Sequence, residues 1–207
     1  MDTWQELWRL FEKGGFVMPV LLLGSIMAVA VAVERYRAFR IASGKMTELR
    51  ERLETQLSTG AWAEALAVAE QYENLSALVA GAGLARQEQG PRAVEAAMEG
   101  AANRGAARLR QRLDLLSLMV TMAPLLGLLG TVIGMIRSFN VLNVSSGQPF
   151  AITGGVGEAL VATAAGLFVA ILALILLAYF RAKLDGILND VEETAAMISG
   201  ALLEKQR

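Results

Sequence analysis

The chain has 207 residues, a net charge of −1, and 55% hydrophobic against only 6% aromatic residues. Its apolar residues gather into three blocks, which is not the pattern of a soluble globular domain. It has no cysteine and no histidine, which excludes disulfides and thiolate metal sites and removes the commonest general base. The composition gives an enzyme little support and predicts no cofactor, no metal site and no nucleic-acid partner.

The head of the chain, residues 1–13, places Trp4, Leu7, Trp8 and Phe11 at i, i+3, i+4 and i+7. This spacing predicts a short amphipathic helix on the membrane surface, with two tryptophans in the headgroup zone. The acidic residues Asp2, Glu6 and Glu12 make it unlike the basic leader of an export signal, so the first hydrophobic segment is expected to be retained.

Three uncharged runs follow: 20 residues between Lys13 and Glu34, 22 between Asp114 and Arg137, and 22 between Glu158 and Arg181. Each spans a hydrocarbon core of about 30 Å at about 1.5 Å per residue. They predict transmembrane helices over residues 14–33, 115–136 and 158–180. Bulky residues such as Val17, Val20, Leu21, Leu22, Leu23, Ile26 and Val29 in the first span point it toward lipid. Pro19 and Pro124 lie inside spans and mark kinks.

The region 34–114 reads as helical. Leu49, Leu53 and Leu57 form one stripe, Ser58-Thr59-Gly60 interrupts it, and Trp62, Leu66 and Ala69 with Tyr72 continue on a second helix. Ala96, Ala97, Ala101, Ala102, Ala106, Leu109 and Leu113 lead without a proline into the second span, so that helix is expected to begin near Arg92. Residues 137–157 read as a turn and the start of the third helix. Beyond the third span, Leu184, Ile187, Leu188, Val191, Ala195, Ile198 and Leu202 keep helical spacing through the tail 181–207. The fold class is therefore an all-α membrane protein with three transmembrane helices, the second and third extended into a cytoplasmic helical bundle.

Of the 19 Lys and Arg residues, 12 lie in residues 34–114. By the excess of basic residues on the cytoplasmic side, this loop and the carboxy terminus are inside and the amino terminus is outside.

The second span contains Ala123-Pro124-Leu125-Leu126-Gly127-Leu128-Leu129-Gly130-Thr131-Val132-Ile133-Gly134, and the third begins Gly157-Glu158-Ala159-Leu160-Val161-Ala162-Thr163-Ala164-Ala165-Gly166. Gly127, Gly130 and Gly134 on one helix, with Ala162, Gly166 and Ala170 on the other, form small-residue rows that let backbones approach. Counted from Asp114 and from Arg181, Thr131 and Thr163 both lie roughly 26 Å from the charges, at one membrane level. Two readings stand: a polar lumen, or hydroxyls bonded one turn back in helices that merely pack. Glu158 either lines an ion path, since a carboxylate in a span is costly, or pairs with Arg137 at the interface.

These segments, Ala123 to Met135 and Gly157 to Leu167, resemble the two signature segments of the MotA/TolQ/ExbB proton-channel proteins. Trp8 to Met18 and Gly60 to Leu66 are similar to the head and loop helix of ExbB. The resemblance implies an inner-membrane homo-pentamer around a single-span partner of the ExbD or TolR kind, driving a TonB-like or TolA-like protein. It implies that Thr131, Thr163 and Glu158 belong to the proton pathway and that the proton-carrying aspartate is the partner's. An ExbB-like role in outer-membrane transport is favoured over a TolQ-like role in envelope maintenance. A purely structural oligomer remains the rival class.

Overall fold

The computed structural model describes residues 15–144 and 150–205, with side chains except at 140–154 and 158. The interfacial helix expected over 1–13 lies outside the described residues. Seven α-helices follow one another: α1 Val17–Ala42, α2 Met46–Ser58, α3 Trp62–Glu70, α4 Leu75–Leu84, α5 Pro91–Arg110, α6 Leu113–Val144 and α7 Phe150–Lys205. No strand occurs among the described residues.

Stretches running through α1, α6 and α7 are long and apolar enough to cross a membrane. Only 28%, 22% and 33% of their most apolar windows are buried within the chain, so most of this surface requires lipid or another protein. The protein is an all-α membrane protein with three spans.

Two compact units are present. The first holds the described residues up to Val33 with Arg112–Ala178. Val17 and Leu21 of α1 pack with Ala123 of α6 and with Val169 and Ala170 of α7. The expectation that the first span turns its bulk outward is corrected at these two positions, each 3% exposed, while Leu22, Leu23, Ile26 and Val29 are exposed. Heptad-like spacing along α1, with Val17, Leu21, Ala28 and Val31 buried, selects the inward face.

The second unit holds Glu34–Gln111 and the chain from Tyr179 on. Leu49, Leu53 and Leu57 are its buried stripe on α2, and Trp62, Ala65 and Ala69 face inward on α3, with Leu66 half-buried. On the last part of α7, Phe180, Leu184, Ile187, Val191, Thr194, Ile198 and Leu202 are buried, at the three- and four-residue spacings that a helix-packing seam requires. The Phe39 and Phe180 rings meet at 5.4 Å. Arg50 pairs with Asp190 at 3.3 Å and with Glu193.

Four features depart from the sequence expectations or were not anticipated by them. The helix α4, buried over Leu75, Ser76, Ala77, Val79, Ala80, Gly83 and Leu84, carries no stripe because it is enclosed on nearly all sides. Asn74 caps it, its Oδ1 accepting from Ala77 N–H at 2.8 Å while its Nδ2 donates to the Gly44 carbonyl at 2.7 Å. On α5 the buried face is Val94, Met98, Ala106 and Leu109, and Ala96 is exposed.

The second long helix is also not continuous from Arg92. It breaks at Gln111 (φ −50°, ψ 136°) and Arg112 (φ 69°). The buried Arg35 guanidinium donates to the freed carbonyls of Arg108 at 2.9 Å, Gln111 at 2.9 Å and Leu109 at 3.4 Å. A cap from a residue more than seventy positions away leaves no local sequence signal.

Finally, the stretch 137–157 is mostly helix. Helix α6 continues through Asn140 and Asn143 to Val144, and α7 starts at Phe150; residues 145–149 are outside the described set. Asparagine and serine lower helix propensity by only a few tenths of a kcal/mol each, too little to end a helix already nucleated.

Candidate functional site: the seam between α6 and α7

The inward face of α6 is built from Ala123, Gly127, Gly130, Gly134 and Ser138, all buried, at spacings of three and four. That of α7 carries Gly155, Ala159, Ala162, Gly166 and Ala170, buried except for a half-buried Gly155. Side chains this small bring the two backbones together.

A Cβ at Gly166 would stand 2.5 Å from the Ala123 carbonyl oxygen and 3.0 Å from Gly127 Cα. One at Gly127 would stand 3.0 Å from Thr163 Cα, one at Gly130 2.5 Å from Ala162 Cβ, and one at Gly134 3.0 Å from Ala159 Cβ. All five of these neighbours are backbone atoms or backbone-fixed alanine methyls on the opposing helix, so the glycines cannot gain a methyl without parting the helices. Ala170 belongs instead to the cluster with Val17 and Leu21 of α1.

The hydroxyls occupy this seam differently. Thr163 Oγ1 donates across it to the Gly127 carbonyl at 3.1 Å. Thr131 Oγ1 donates to Leu128 of its own helix at 2.6 Å, and Ser138 Oγ to Gly134 at 2.9 Å. Thr131 and Thr163 are both partly exposed.

The expectation that the two threonines share one level is corrected. Thr163 sits opposite Gly127, and Gly134 opposite Ala159, which puts Thr131 about four residues, or about 6 Å, along the axis from Thr163. The Glu158 side chain lies outside the described residues.

Sequence reasoning missed Ala123, Ser138, Gly155 and Ala159 as members of the seam. The signal was present in the small-residue spacing, which continues from Gly134 to Ser138 and from Ala159 back to Gly155. The run of polar residues after Ser138 obscured it. Among the described residues no group of three or more Asp, Glu, His or Cys is arranged to hold a metal.

Residues 70–193, from the end of α3 through most of α7, match the model of the MotA/TolQ/ExbB proton channel family. The chain belongs to this family. Over 170 residues, 80% of the chain, it is 38% identical to the putative biopolymer transport protein ExbB-like 1 of Synechocystis. Over 185 residues, 89% of the chain, it is 28% identical to a putative ExbB homologue of Methanothermobacter thermautotrophicus. Each of these matches covers 66% of the relative's own length. The biopolymer transport protein ExbB of Xanthomonas campestris is 34% identical over 108 residues, 48% of the chain and 43% of that protein. Within the family the likeness is thus to proteins of the ExbB kind, and the matched region includes the whole α6–α7 seam.

Proposed function

We propose that this chain is the proton-channel subunit of an ExbB-like energiser of the bacterial inner membrane. In this reading it assembles as a homo-oligomer, a pentamer by family resemblance, around a single-span ExbD-like or TolR-like partner that carries the proton-binding carboxyl. Thr131 and Thr163 line the path and Glu158 stands at its outer mouth. The amino terminus faces the periplasm, and the region 34–114 with the tail 181–207 faces the cytoplasm. The work is delivered to a TonB-like protein for outer-membrane transport. The energetics suffice in principle, because one charge crossing about 100 mV releases about 2.3 kcal/mol.

The observation that carries this reading is the Thr163 hydroxyl on the α6–α7 seam, bonded to Gly127 and partly exposed, in a member of a proton-channel family. A structural reading is favoured by the same bond if it only ties the helices together. TolQ-like envelope maintenance differs in the protein driven, not in the path.

The test is reconstitution of the chain with a co-expressed single-span protein from a neighbouring reading frame. Stable co-purification and proton flux that needs both proteins are expected, and Glu158→Gln should lower the flux with the complex intact. Assembly without proton flux would favour the structural oligomer.

A further inference from the structure

We propose that a small cavity between α1 and the last part of α7 holds the phosphate of an anionic phospholipid, with Arg40 and Lys183 as its cations. The inference needs the membrane spans but not proton conduction.

The cavity has a volume of about 130 Å³ and lies wholly within the second unit. On α1, Tyr36, Phe39, Arg40 and Ser43 line it, at i, i+3, i+4 and i+7, the spacing of one helix face. Tyr179, Phe180 and Lys183 line it from α7. The buried rings of Phe39 and Phe180, 5.4 Å apart, close it on the inner side, and the Tyr179 ring meets Phe180 edge-on at 5.3 Å.

Every polar side chain in this lining can donate: a guanidinium, an ammonium and three hydroxyls. No carboxylate lines it, and neither Arg40 nor Lys183 forms an ion pair among the described residues. The larger cavity between α1, α4 and α5, about 310 Å³, differs, because there Glu73 shares the lining with Arg104 and Arg108. The smaller cavity has donors for an acceptor-only anion and supplies no such anion itself. Phosphate oxygens match that set.

Depth selects a lipid as the carrier of the phosphate. Tyr179 stands two residues before Arg181, at the end of the third uncharged run, and Tyr36 two residues after Glu34, which closes the first. Both tyrosines are half exposed, and tyrosine is enriched in the headgroup layer. Each helix leaves the membrane at its carboxy-terminal end, and helical side chains lean toward the amino terminus. Arg40, about 9 Å beyond Glu34 along the axis, and Lys183 therefore lean back toward the headgroups on long stems. A zwitterionic head would bring an ammonium with no carboxylate to receive it, so the anionic class is preferred.

The test titrates the full chain, purified in detergent as the oligomer it forms, with dioctanoyl phosphatidylglycerol and separately with dioctanoyl phosphatidylcholine, and counts bound lipid by native mass spectrometry. The glycerol lipid should bind the tighter. Arg40→Gln and Lys183→Gln should each weaken it about 5-fold, and together roughly 30-fold. Arg40→Lys combined with Lys183→Arg keeps both charges and should hold the affinity near wild type. Arg37→Gln removes an exposed cation of α1 that does not line the cavity and should leave the affinity in place.

Equal binding of the two lipids, or a loss in Arg37→Gln as large as in Arg40→Gln, would reduce the effect to diffuse attraction and overturn the proposal. Displacement of the lipid by inorganic phosphate, beyond that given by sodium chloride at the same ionic strength, would make this a free-phosphate site and overturn the lipid assignment. Arg40 also stands in the last turn of α1, where a cation favours the helix end. A lower melting temperature in Arg40→Gln with lipid affinity unmoved would give Arg40 that role alone and overturn the site.

Discussion

The α6–α7 seam and the second unit solve the same packing problem with opposite materials. The seam brings Gly127, Gly130, Gly134 and Gly166 against backbone atoms and single methyl groups. The second unit fills its interior with Leu49, Leu53, Leu84, Val94, Phe180 and Ile198, all but inaccessible. In lipid the tails are as apolar as leucine, so large side chains gain little by meeting one another and close backbone contact must hold the helices. In water the removal of apolar area is the dominant favourable term. The contrast teaches that methyl groups should be harmful where added to the seam and harmful where removed from the second unit.

The largest break is expected at Gly166. In Gly166→Leu the new side chain must pass the Ala123 carbonyl and Gly127 Cα, so assembled complex should be lost from detergent extracts, as size-exclusion chromatography would report. Recovery of the wild-type profile would mean the seam is not close-packed.

Next comes Leu53→Ala in the second unit, a 0% exposed leucine. Its removal should cost about 2 to 5 kcal/mol and expose the region to limited proteolysis, while α6 and α7 remain together. Arg35→Leu follows: it strips the donors from the carbonyls of Arg108, Leu109 and Gln111, and each acceptor left unpaired costs about 1 to 3 kcal/mol. Hydrogen exchange should quicken at the end of α5 first. An unchanged exchange pattern there would remove Arg35 from its capping role.

The smallest effect belongs to Glu48. Its carboxyl accepts a hydrogen bond from the Tyr72 hydroxyl at 2.9 Å, and this bond, with lesser help from Lys45 and Arg52, holds it below the usual carboxylate range. A lowered pKa favours the folded state above the ordinary carboxylate pKa, and the contribution fades as pH falls through the lowered one. Tyr72→Phe should therefore lower the melting temperature slightly at neutral pH and flatten part of the acid limb of a thermal melting series, the difference from wild type vanishing as pH falls through the lowered pKa. A loss that persists undiminished in acid would point to packing by the ring edge instead.

How much of this was legible in the sequence depended on whether the signal was local. Charge spacing gave three spans, and the leucine stripe at 49, 53 and 57 and the tail of α7 were read from periodicity, because each presents one face to a core. Enclosed on nearly all sides, α4 had no stripe to read. The break at Gln111 and Arg112 is sealed by Arg35, which no nearby residue announces. Thr131 and Thr163 were singled out in the sequence by chemical type, as hydroxyls in apolar helices. Their offset of one turn was not, since the register of antiparallel helices is set by glycine contacts rather than by the charges at their ends.

The central claim is that the seam hydroxyls carry protons and do not only join helices. Thr131→Val with Thr163→Val keeps branching and volume nearly constant while deleting both oxygens. Proton flux across vesicles holding the assembled complex of this double variant with its partner tests the claim most directly. The account predicts intact assembly with flux near background, whereas wild-type flux from an intact double-valine complex would contradict it.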